Sequence, residues 1–79
     1  MKVKIVSVTD LDGNEKDKWI WGAERVMQYT PTINCPLILV DFVLEKTRIT
    51  SYVRGIEKGL GNQTKYYTLN SIYTLEELE

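Results

Sequence analysis

Apolar residues recur at every second position along much of this chain, in short runs broken by glycine, proline, asparagine and aspartate. A period of two belongs to half-buried strands, and it limits the chain to sheet folds before any other feature is weighed. Residues 2–9, KVKIVSVT, place Val3 and Ile5 on one parity before the apolar positions pass to Val6 and Val8. Such a slip marks a bulge or a strand buried on both faces. Residues 37–45, LILVDFVLE, are apolar on both parities and read as the central strand, with Asp41 where one face turns wet. A second slip, from Ile49 and Val53 to Tyr52 and Ile56, predicts another bulge in residues 49–58, ITSYVRGIEK.

The most regular run is TKYYTLNSIYTLEEL, residues 64–78, where Tyr67, Leu69, Tyr73 and Leu75 share a parity and predict one core-facing strand. The polar pair Asn70 and Ser71 in its middle reads as a packed crossing point, with the Ser71 hydroxyl bonded to a neighbouring carbonyl. Thr74 with Glu77 three residues on has capping-box spacing and predicts one closing turn of helix. Asp12, Gly13 and Asn14 have the chemistry of a tight turn, Pro31 fixes a loop, and GLGNQ, residues 59–63, reads as a hairpin loop.

Residues 19–29, WIWGAERVMQY, admit two assignments. Ala23, Val26 and Met27 fit one helical face, but such a helix has under three turns, and Gly22 interrupts it. Trp, Ile, Val and Tyr favour strands, so the segment is assigned as strand. Five short strands with turn signals at roughly 8–12-residue spacing predict an all-β fold, a small five-stranded SH3-like barrel. The alternatives are an OB-like barrel and an α+β fold with a short helix near 22–29.

The 79 residues suffice for one core and hence one domain. A core of this size supplies roughly 3–5 kcal/mol net, so oligomerisation or a partner is expected to reinforce it. Ten basic and eleven acidic residues give a net charge of −1, with the basic ones scattered, which is not the stripe a phosphate backbone requires. The longest apolar run is short and broken by Asp41, which argues against a membrane span. A single cysteine and the lack of a signal-like stretch after Met1 lead us to expect a reducing, cytoplasmic setting.

Catalytic chemistry finds few of its parts. Cys35 has no histidine to activate it, because the chain contains none, and one thiol without imidazoles cannot build a zinc site. DLDGNE, residues 10–15, resembles the start of a calcium loop, but its glycine is fourth where an EF-hand needs it sixth. GLGN, residues 59–62, lacks the third glycine and the lysine of phosphate-binding loops. No enzyme, cofactor or metal is therefore expected.

The aromatic residues are the better candidates. Trp19 and Trp21 lie two residues apart, and in an extended segment they would project together as a paired grip for a protein or a flat ligand. The structural alternative is that one tryptophan plugs the barrel. Tyr29 and Tyr52 extend the expected binding set, with Arg25 and Arg54 beside them.

The last thirty residues, from ITSYVRGIEK to TLNSIYTLEEL, resemble the ending of small uncharacterised proteins of phages and prophages of Gram-positive bacteria. The shared features are a Thr-Ser before a Val-containing strand and an Asn-Ser-Ile-Tyr strand with an acidic end. The resemblance implies a phage accessory protein that binds a host defence or replication protein. The expected function is thus a non-enzymatic interaction module with a protein partner, host or self. One alternative is a small-ligand or single-stranded nucleic-acid binder walled by Lys18, Arg25, Arg48 and Arg54. Another is a structural homo-oligomer formed by edge-strand pairing.

Overall fold

The computed structural model describes residues 1–78. Its strands are β1 (Lys2–Thr9), β2 (Glu24–Val26), β3 (Pro36–Asp41), β4 (Lys46–Lys58), β5 (Gln63–Thr68) and β6 (Ile72–Glu77). They neighbour one another in chain order, all antiparallel, and β6 pairs back onto β1 from Val3↔Glu77 to Thr9↔Ile72, so the sheet closes in a ring. The fold is all-β, as expected. Strand order without a crossover differs from the Greek-key path of an OB-like barrel. Among the described residues the only helical element is a 3₁₀ turn, Lys18–Ile20, so the helix considered near 22–29 does not form.

The sheet has six strands where five were expected, because the run from 64 to 78 folds back on itself. Ser71 donates its backbone N–H to the Thr68 hydroxyl at 3.1 Å, and Thr68 returns its own N–H and hydroxyl to the Ser71 carbonyl at 2.8 and 3.0 Å. Asn70 and its neighbour Leu69 therefore form the tip of a tight turn, and the polar pair marks a hairpin and not a crossing point. The turn resets the parity. Tyr66 faces Tyr73 across the hairpin and both are buried, whereas Tyr67 lies outside with its hydroxyl 3.2 Å from Glu57, and Leu69 is half exposed. The capping box at Thr74 is also overturned, since residues 72–77 are strand and Thr74 is buried in the ladder.

Both parity slips are bulges in the structure. The β1–β6 register shifts between Ile5 and Ser7, and the β4–β5 register between Val53 and Gly55. These irregularities let short strands curl tightly enough to close. The enclosed core holds Val3, Ile5, Val8, Ile20, Met27, Leu37, Leu39, Val53, Tyr66, Tyr73 and Leu75.

The ring is thinnest between β2 and β3, where Val26↔Val40 is the sole paired position. One cause lies at Asp41. The expected strand 37–45 stops there because the Asp41 carboxylate accepts the backbone N–H of Val43 at 3.0 Å and of Leu44 at 3.2 Å. An aspartate at this position competes with the ladder for backbone donors and starts a turn. Phe42, Val43, Leu44 and Glu45 become the β3–β4 loop, with Glu45 in the left-handed region at φ 53°.

Candidate functional site

Asp17 sits in the left-handed region at φ 49°, and its carbonyl receives the Ile20 N–H at 2.9 Å, which starts the 3₁₀ turn. Ile20 plugs one end of the core. With three residues per turn, side chains two apart on such an element diverge, so the expected joint projection of Trp19 and Trp21 does not occur. Trp19 is 77% exposed, whereas Trp21 packs on the core and donates its indole N–H to the Lys16 carbonyl at 2.9 Å.

Trp19 is not loose. The Arg48 guanidinium lies 5.8 Å from its ring centroid, within reach of a cation–π attraction. Arg48 is itself fixed, with Nη1 3.0 Å from Asp17 Oδ2 and 3.1 Å from the hydroxyl of buried Tyr73. Burial works against the Arg48 charge, but the Tyr73 hydroxyl and Asp17 carboxylate outweigh it, so its pKa lies above the ordinary arginine value.

Beside Trp19 opens a cleft of about 500 Å³. Its apolar walls are Trp19, Ile20, Leu39, Leu44 and Ile49, and its polar side chains include Arg25, Asp41, Lys46 and Arg48. A second cleft of about 220 Å³, between Val26, Val40, Phe42 and Val43, lies across the Arg25–Asp41 ion pair. That pair spans 3.5 Å and forms a wall common to both clefts. The β3–β4 loop is the apolar rim, with Phe42 61%, Val43 90% and Leu44 62% exposed.

Of the six residues expected to bind, Trp19 and Arg25 meet at this cleft. Trp21 packs on the core and does not line it. Tyr29 donates its hydroxyl to the Pro36 carbonyl at 2.6 Å and Tyr52 is the strand partner of Pro36, and neither lines a cleft. Arg54 is exposed on β4 and lines neither cleft. Sequence reasoning missed Phe42, Val43, Leu44, Lys46 and Ile49. The available signal was Asp41 itself, a turn-forming residue set inside an apolar run.

Cys35 is half buried and takes a hydrogen bond from the Thr32 hydroxyl at 3.4 Å. No helix among the described residues is long and apolar enough to cross a membrane. Comparison with protein-family models, curated proteins and solved structures returns no match for this chain.

Proposed function

We propose that this protein is a non-enzymatic interaction module that binds another protein at the rim formed by Trp19 and the β3–β4 loop. The carrying observation is the gathering of Trp19, Phe42, Val43 and Leu44, all more than 60% exposed, around clefts on one side of a closed core. Large apolar side chains collected in one patch, with tryptophan among them, mark protein-binding surfaces. Asp41 also fixes the loop backbone and Arg48 lies beside Trp19, so less ordering opposes binding than in an unsupported loop. The module is used as a small SH3-like barrel is used, through side chains carried on its loops, whatever its strand number. The resemblance to phage and prophage proteins directs the search for a partner to a host defence or replication protein in the cytoplasm.

The nucleic-acid alternative has less support. Two of its four wall cations are held close to carboxylates, Lys18 with Glu15 at 3.3 Å and Arg48 with Asp17 at 3.0 Å, and a third, Arg54, lines neither cleft. Self-association by edge pairing is likewise disfavoured, since a closed ring leaves few strand edges free.

The test is a paired substitution, Trp19→Ala with Leu44→Ser. Both side chains are exposed, so the protein is expected to keep its melting temperature and to lose at least tenfold in affinity for its partner. A folded double variant that binds as tightly as the parent would sink the proposal.

A further inference from the structure

The charges around the clefts specify an occupant. The charged side chains lining them are Lys2, Arg25, Lys46 and Arg48 against Glu24 and Asp41, and with Asp17 bonded to Arg48 a surplus of one positive charge remains, in the larger cleft, on a protein whose net charge is −1. Most of these cations are engaged. Lys2 pairs with Glu24 at 3.2 Å, and Arg48 is bonded to Asp17 and Tyr73.

Arg25 is not saturated. Its Nη1 donates to the Glu24 carbonyl at 2.8 Å and lies 3.5 Å from Asp41 Oδ2, longer than the roughly 2.7–2.9 Å of a charge-assisted bond. A guanidinium carries five N–H donors, so most of those on Arg25 are open. Its side chain is only 19% exposed, and it stands at the wall between the two clefts. Lys46, strand partner of Asp41, lines the larger cleft and forms no ion pair among the described residues. A partly desolvated arginine with spare donors, lining the same cleft as an unpaired lysine on the far side of Asp41, is a seat for a carboxylate. The apolar surfaces lie to either side of that seat, Trp19 and Leu44 in the larger cleft, Phe42 and Val43 at the smaller.

We propose that the occupant is an extended peptide segment of a partner protein carrying one carboxylate flanked by apolar side chains. The carboxylate binds Arg25 beside Lys46, and the flanking groups rest on Trp19 with Leu44 and on Phe42 with Val43. This inference rests on the interaction-module reading and adds the chemistry of the partner.

The test uses three blocked heptapeptides, made of Phe, Leu and Ser around a central Glu, Gln or Lys, titrated into the ¹⁵N-labelled protein. The expected result is that the Glu peptide shifts the amide signals of Arg25, Val43, Leu44 and Lys46. The Gln peptide should bind about tenfold more weakly, the loss of a hydrogen bond to a charged group, and the Lys peptide more weakly still. R25Q and K46Q should each reduce the Glu-over-Gln preference; K46Q keeps the melting temperature, and R25Q, which loses the Asp41 ion pair, stays folded with a fall of about 4 °C. Equal binding of Glu and Gln peptides at the cleft would overturn the inference and leave the interaction reading standing. So would shifts confined to another surface, or a response of these signals to oligothymidylate or phosphatidylglycerol vesicles but not to the Glu peptide. The interaction reading itself falls only on the Trp19 and Leu44 double variant, so the two failures are distinguishable.

Discussion

Asp41 does two things at once, and substitution can separate them. Its Oδ1 accepts two backbone N–H groups of the β3–β4 loop, and its Oδ2 faces Arg25 across the thin seam of the ring. Each loop hydrogen bond is solvent-accessible and is assigned the low end of the usual range, about 0.5 kcal/mol. The ion pair, long at 3.5 Å but only 14–19% exposed, is assigned roughly 0.5–1 kcal/mol. Asp41→Ala removes all three contacts and should cost about 2 kcal/mol. Asp41→Asn keeps a carbonyl oxygen for the loop and loses the charge, so it should cost about 0.5–1 kcal/mol. For a domain of this size the expected falls in melting temperature are about 10 °C and about 4 °C. Urea unfolding followed by circular dichroism measures the two costs, and hydrogen exchange at Val43 and Leu44 should speed up in the alanine variant alone. Equal destabilisation by Asn and Ala would refute the reasoning, because the loop bonds would then contribute nothing. An alanine variant within 0.5 kcal/mol of the parent would refute it as well.

Other perturbations probe the core, the turn and the alkaline limit. Trp19→Ala should change stability by less than about 0.5 kcal/mol, whereas Ile20→Ala, one residue on, should cost about 2–5 kcal/mol, both by urea unfolding. Thr68→Val removes the buried hydroxyl that both gives and receives at the β5–β6 turn and should cost about 1–3 kcal/mol. Burial, with Glu77 nearby, raises the Tyr66 pKa above the ordinary tyrosine value. A raised folded pKa means stability that is complete below about pH 10 and is lost as pH climbs through the folded value. Tyr66→Phe should therefore leave the melting temperature at pH 8 nearly unchanged and flatten its fall above pH 10.

The sheet class and the bulges were legible because they depend on period and parity, which a strand imposes on its own residues. Val3, Ile5 and Val8 disclose the first bulge without reference to any other part of the chain. The strand count was not legible in the same way. Nothing in Tyr67, Leu69, Tyr73 and Leu75 distinguishes one long strand from two short ones, since the two-residue turn flips the core-facing parity and the outward apolar pair Tyr67 and Leu69 falls on the same parity as the inward pair Tyr73 and Leu75 beyond it. Only the mutual bonds of Thr68 and Ser71, two ordinary polar residues, decide it. The site was half legible for a related reason. Trp19 and Arg25 could be nominated as a large aromatic and a cation, but the loop at Phe42, Val43 and Leu44 was concealed by its hydrophobicity, which points to a core strand unless Asp41 is read as its terminator.

That concealment bears on function. An apolar triplet placed after a strand costs solubility, and a ring whose core is already filled by other residues gains no stability from it. Yet Asp41 does more than end the strand; it fixes the loop with two hydrogen bonds and joins it to Arg25 on the neighbouring strand. Across the larger cleft, Tyr73 in the core holds Arg48, and Arg48 lies over Trp19. Each exposed apolar element thus lies beside a polar residue that is itself bonded to the fold. Apolar groups left outside by accident would have no need of such supports, since a mobile loop could fold them against its own backbone. A loop whose backbone is already bonded in place loses less entropy when a partner covers it, which is what a binding surface would require.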